Sequence, residues 1–216
     1  MTQTSEKLIS AIWPLPGGNS RYLDTLDRIL KWAADTPDAT RDGLIAWFMS
    51  QYNTAENTAK SYAYYVIRLG VFDEDDSGRL ALSALGRQVN QAGGETQARL
   101  VTEHLMRRYL AFPEILAVYA QAGDPIHIKT MVEALRPQFP QWTTEAQFEY
   151  RALWLLSLGC LRQERGRYYA ITELGRAIAQ EHPPVGEVPS VSQEPMGTPR
   201  LCNLQRRVRA RTRFPD

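Results

Sequence analysis

The 216-residue chain contains only two cysteines, three histidines and no long apolar run. Nothing approaches the roughly 18 consecutive apolar residues that a bilayer-spanning helix needs, so no membrane segment is expected. The opening stretch MTQTSEKLISAIWPLPGG lacks the charged, apolar and small-residue zones of a secretory signal, and the expected location is the cytoplasm. Cys160 and Cys202 lie far apart in unlike contexts. In a reducing compartment a disulfide is not expected, and Cys160 reads as a small buried hydrophobe. His104, His127 and His182 are scattered, none at metal-ligand spacing from a cysteine. Neither a GxxxxGK[ST] nor a GxGxxG phosphate loop occurs, and Gly17-Gly18 and Gly93-Gly94 fall in linker-like turns. The acidic run Asp73-Glu74-Asp75-Asp76 lacks the spacing of a calcium loop and reads as a solvated hairpin tip. These absences argue against an intrinsic active site: no catalytic residue, metal or cofactor is expected.

The formal charge is +1, yet it is unevenly placed. Residues 200–216 hold six arginines and one aspartate, leaving 19 basic and 23 acidic groups in residues 1–199, a net −4. A general polyanion binder is thereby excluded for the folded part. Hydrophobic residues make up 44%, enough for real cores, and the length suits one large or two small domains.

What the chain does have is an internal repeat. Thr54 to Gln91 recurs 89 residues later as Thr143 to Gln180, and the two 38-residue segments match without a gap at ten positions, among them Leu69/Leu158, Gly70/Gly159, Leu85/Leu174, Gly86/Gly175 and Arg87/Arg176. A fixed period marks repetition of one supersecondary unit. Each copy opens on a threonine, expected to cap a helix. In the first copy Ala59, Tyr62, Ala63, Val66 and Leu69 recur at helical spacing. Gly70 then stops the helix. Two β-prone runs, Val71-Phe72 and Arg79 to Leu82, flank a polar turn and predict a hairpin. Ser83, or Thr172 in the second copy, caps the helix that follows.

Helix, glycine stop, hairpin and capped helix, with the phrase [ST]-x-LGR after the hairpin, resemble the second half of a winged-helix domain. The resemblance covers residues 22 to 181. It implies a mainly α fold with small β-hairpin wings, arranged as two tandem winged-helix domains over residues 21–94 and 95–181, after a lead-in of residues 1–20. In the lead-in, Ile9, Ile12 and Trp13 are expected to pack on the first domain. Tyr22 to Ala34 is amphipathic, and Leu44 to Phe48 marks a second helix. Glu95 to Gln121 is expected to be helical with a break at Pro113, and Ile126 to Phe139 to give the second helix of the second domain. Residues 182–216 are Pro- and Ser-rich, then basic, and are expected to be disordered. So short an ending after a linker is what an excised module or truncated reading frame would leave.

In winged-helix proteins the third helix commonly enters the major groove. Opposite the apolar stripe of the first copy stand Asn57, Lys60, Ser61, Tyr64 and Arg68. Asn suits adenine, Arg guanine, and Lys, Ser and Tyr phosphates; the competing reading is an ordinary exposed polar face. The equivalent positions of the second copy, Ala146, Glu149, Tyr150, Leu153 and Ser157, make no groove-reading surface and would sooner contact protein. The second wing carries Arg162, Arg165 and Arg167, suited to phosphate, with Arg107 and Arg108 on the connecting helix as further candidates. The arginines of the tail would add salt-sensitive attraction. The expected partner is double-stranded DNA, and the arrangement is similar to DNA-reading modules of restriction and phage-defence proteins. It is also similar to the winged-helix subunits of chromosome-condensing complexes, which bind proteins. A transcriptional regulator is a third possibility.

Overall fold

A computed structural model describes residues 8–191. The described chain is mainly helical with two small antiparallel sheets. In the first half, α1 (Tyr22–Ala34), α2 (Arg41–Tyr52) and α3 (Glu56–Val66) precede the hairpin β1 (Phe72–Glu74) and β2 (Leu80–Leu82), and α4 (Ala84–Gln91) follows it. The long α5 (Gly94–Arg108) connects to the second half. There α6 (Phe112–Ala122), β3 (Ile126–His127), α7 (Ile128–Leu135) and α8 (Ala146–Ser157) lead to the hairpin β4 (Leu161–Arg165) and β5 (Tyr168–Ile171), then to α9 (Glu173–Glu181).

The two halves repeat each other down to their sheets. β3 joins the second hairpin in the order β3-β5-β4. In the first half the segment before α2 takes the same place, with a bridge between Thr40 and Arg79 and a 2.8 Å bond from Leu80 N–H to the Ala39 carbonyl. Both third helices end on a glycine in the left-handed region, Gly70 at φ 84° and Gly159 at φ 72°, where a Cβ would be strained.

The [ST]-x-LGR phrase has a physical reading. Ser83 Oγ donates to the Gly70 carbonyl (2.7 Å) and accepts from Gly86 N–H (3.0 Å), so one hydroxyl ties the helix stop to the start of the next helix. Thr172 repeats this with Gly159 (2.6 Å) and Gly175 (3.0 Å). The first turn of α4 is thereby drawn onto the Val71 carbonyl and that of α9 onto the Cys160 carbonyl. At Gly86 or Gly175 a Cβ would stand 2.1 Å from that oxygen. The two repeated glycines are therefore required by the closeness of the packing.

Several expectations are corrected. Thr54 and Thr143 do not cap: the N-caps are Ala55 and Glu145, neither with a side-chain cap bond, because the helices begin at residues 56 and 146, one and two positions later than a threonine cap would require. Side-chain caps instead come from Thr40, Ser83, His127 and Thr172. The break in the connecting region precedes Pro113. Tyr109 is extended, Ala111 has φ 67°, and Pro113 sits in the first turn of α6, where its missing N–H has no helical partner to lose. Residues 182–191 were expected to be disordered, but they lie back on the second half: Val188 and Val191 pack against the core, and Gln138 Nε2 donates to the Glu187 carbonyl (2.7 Å). Residues 192–216, including Cys202 and the arginines of the tail, lie outside the described residues, as do residues 1–7.

One apolar core runs through both halves. Cys160 is buried in it as expected, and burial pushes its thiol up to about 11. His104, on α5, lies against the Leu69–Gly70 stop, and burial lowers its pKa from the ordinary value, helped by Arg108 and Arg107. The unfolded chain therefore takes up this proton first. Stability is expected to be full above about pH 6.5, to fall as the pH drops toward the lowered folded value, and to level off below it. Urea midpoints at pH 7.5 and 5.5 measure this, and His104→Gln should flatten that part of the profile; an unchanged slope would remove His104 as its cause.

Candidate nucleic-acid interface

The third helix of the first half places its polar stripe outward. Asn57, Lys60, Tyr64 and Arg68 are exposed along one side of α3 and the turn that follows it, and Ser61 is half-buried beside them. Ser61 Oγ donates to the Asn57 carbonyl (3.1 Å). Lys60 Nζ meets Glu56 at 2.6 Å, one turn earlier. Tyr64 is 56% exposed, and the Arg41 guanidinium sits 5.3 Å from the centre of its ring. Arg41 is held in turn by Glu74 of the first hairpin (Nε to Oε1, 2.6 Å). Sequence reasoning did not single out Arg41; nothing in the local pattern shows that α2 starts beside α3.

The tip of the first hairpin is closed by its own acid. Asp75 Oδ1 accepts from Ser77 N–H (2.9 Å), Ser77 Oγ (2.7 Å) and Arg79 N–H (2.9 Å), which holds its carboxyl below the usual range. Among the described residues no group of three or more His, Cys, Asp or Glu is placed to hold a metal ion.

The second hairpin exposes Arg162, Arg165 and Arg167. Arg162 pairs with its strand neighbour Glu164 at 2.7 Å, and Arg167 with Glu149 on α8. Arg107 lies 3.8 Å from Glu103 on α5. Exposed pairs of this kind are worth about 0–1 kcal/mol, so a phosphate can displace their carboxylates.

The second third-helix is not available in the same way. Ala146, Glu149, Tyr150, Leu153 and Ser157 are all half-buried: Trp13 of the lead-in stacks on Tyr150, Leu23 of α1 bonds Ser157, and Arg167 of the second hairpin pairs with Glu149. The lead-in was expected on the first half; it meets both halves, with the Pro16 carbonyl accepting from Thr25 Oγ1 of α1 (2.7 Å) and other polar contacts going to the second half. Ile9 pairs with the chain at Tyr109, with Ile9 N–H donating to the Arg108 carbonyl (2.8 Å). Gln147 bonds both ways with the Ile12 backbone (2.9 and 3.2 Å), and Trp154 Nε1 donates to the Trp13 carbonyl (2.9 Å). From the first half, Leu23 N–H donates to Ser157 Oγ (2.8 Å), and the Tyr65 ring packs 6.0 Å from Trp154.

The clamp centres on Arg151, fully buried. Its Nε donates to the Leu110 carbonyl (2.6 Å), Nη1 to the Gln147 carbonyl (2.7 Å) and Oε1 (2.9 Å), and Nη2 to the Ser10 carbonyl (2.7 Å). The guanidinium lies 4.2 Å from the centre of the Trp142 ring. Burial lowers its pKa to about 9, so it remains charged at neutral pH. The signal for it was present: Arg151 stands where the first copy has Tyr62, a charge on the apolar stripe. No protein-family model matches this sequence, and neither a curated protein nor a solved structure is significantly similar to the chain.

Proposed function

We propose that the chain is a non-catalytic double-stranded DNA-binding module of two tandem winged-helix domains, of the kind that gives recognition to restriction, phage-defence or regulatory proteins. The observation that carries this reading is the exposed stripe Asn57, Lys60, Tyr64 and Arg68 on α3 and the turn that follows it, next to a hairpin and clear of the core. Amide and guanidinium groups at helical spacing suit base edges in the major groove, and the ammonium and phenol suit phosphates. With α8 covered, α3 is the reading helix, and Arg162 and Arg165 on the second hairpin supply backbone contacts. Charge on residues 1–199 is net negative, so affinity must come from these local groups.

Fluorescence anisotropy of a labelled duplex pool at low and moderate salt tests the reading. Lys60→Glu with Arg68→Glu is expected to weaken binding at least about 30-fold, the cost of two reversed contacts at roughly 1–3 kcal/mol each. Arg162→Glu with Arg165→Glu should weaken binding less and lower the salt slope by roughly 2, near 0.9 per phosphate lost. Undiminished binding by the α3 variant, or binding that follows only residues 186–216, would sink the proposal.

A further inference from the structure

Between the lead-in and the outer side of α3 lies a cleft of about 230 Å³, lined by Ala11, Trp13, Ser61, Tyr64, Tyr65 and Arg68. One planar ring system fits such a space. Among the described residues, two large aromatic side chains are strongly exposed, Trp13 at 48% and Tyr64 at 56%, and both line this cleft. Trp13 is fixed from behind: its ring stacks on Tyr150, with centres 6.4 Å apart and planes 24° from parallel. Its backbone carbonyl is held by Trp154. The indole therefore presents one preset face to solvent, so little ordering entropy is left to lose when a ring stacks there. Arg68 and the Ser61 hydroxyl add a cation and a polar group to the lining.

We propose that this cleft receives an unpaired nucleobase, stacked on Trp13 with its adjoining phosphate on Arg68. The aromatic face alone would suit any flat ring. The combination with a cation favours a ring that carries its own anion, as a nucleotide does. The inference rests on the DNA-binding reading, since Tyr64 and Arg68 belong to both surfaces, Arg68 meeting a base edge of paired DNA and the phosphate of an unpaired base. The base can come from a single-stranded stretch or be extruded from a duplex, which is easiest where it is mispaired.

The test uses the full chain and three oligonucleotides carrying 2-aminopurine: a matched duplex, the same duplex with the probe base mispaired, and a single strand. The wild type is expected to prefer an unpaired probe by about tenfold, from stacking, and to quench its fluorescence on binding. A preference for the mispaired duplex identifies extrusion as the source, and one for the single strand alone identifies a single-stranded stretch. Trp13→Ala should erase both preference and quenching while leaving matched-duplex affinity within about twofold, and Trp13→Phe should restore part of each. Equal binding of all three probes, or quenching that survives Trp13→Ala, overturns the inference while the duplex reading stands. Absence of any nucleic-acid binding by the wild type overturns both.

Discussion

Arg151→Ala is expected to destabilise the chain by about 3–5 kcal/mol, from buried acceptors that lose their donor and a large buried side chain removed from close packing. The reason is what the guanidinium does at its three ends. It satisfies carbonyls on the lead-in (Ser10), on the α5–α6 junction (Leu110) and on α8 itself (Gln147). Alanine strips the Ser10 and Leu110 carbonyls of this donor, each costing about 1–3 kcal/mol less whatever water recovers, while the Gln147 carbonyl keeps its helical partner; it also opens a void beside Trp142. In a chain of this length, where 1 kcal/mol moves Tm by about 2–4 °C, the melting point should fall by about 6–20 °C. Two further variants separate charge from shape. The donors of Arg151 go to carbonyl and amide oxygens with no carboxylate among them, so the desolvation of the cation is unrepaid by a counter-ion. Arg151→Met removes that cost and fills the space, and should lose less than alanine. Arg151→Lys keeps the charge without the fork that reaches three ways, and should do no better than alanine. Urea denaturation of the three variants checks the order. A loss under 1 kcal/mol for Arg151→Ala would mean the lead-in is held by its other contacts.

Gly86→Ala and Gly175→Ala should each destabilise by about 2–4 kcal/mol, as overpacking against backbone does. Helix propensity predicts the opposite sign, since alanine in place of a helical glycine gains about 1 kcal/mol. Neither glycine has a positive φ, so backbone strain is not the cause. The decisive contact is a carbonyl oxygen 2.1 Å from where the methyl would be. A carbonyl cannot rotate aside as a side chain can: the Val71 oxygen also accepts Ser83 N–H, and the Cys160 oxygen Thr172 N–H, both at 3.0 Å. Relief therefore requires the helix to lift off its hairpin, which breaks the Ser83 or Thr172 tie. Thermal melts of the two single variants and the double variant measure this. Stabilisation by either alanine would show that the helix start stands further from the carbonyl than described.

The repeat made these positions readable in advance. Leu-Gly-Arg recurring after both hairpins marked a place where geometry, not surface chemistry, constrains the residue, and Gly70 and Gly159 were legible as stops for the same reason. The outward stripe of α3 was also readable, because exposure there follows from the 3.6-residue period. What periodicity could not reach was contact between distant segments. Tyr150 and Ser157 obey the period as outward positions of α8, yet Trp13 of the lead-in and Leu23 of α1 meet them. Ile9 and Ile12 looked like neighbours of the helices closest in sequence, but their backbone partners lie near residues 108–110 and 147. Thr54 and Thr143 show the smaller error. A capping residue type was in view, and the helices start one and two residues beyond its reach.

The placement of the lead-in also has a consequence in time. Ile12 finds its partner Gln147 135 residues later, and Trp13 and Ser10 find Trp154 and Arg151 141 residues later. At synthesis rates of about 5–20 residues per second, these early residues wait roughly 7–28 seconds before their partners exist. Through that interval the first half can assemble its own helices and hairpin, whose contacts are mostly local, while Ile12 and the backbone around it stay unclaimed. The seam between the halves is then the last part to set, closed by the residues made first. A nascent chain halted before residue 147 should carry a protease-sensitive lead-in, and one extended past residue 160 and clear of the ribosome should not.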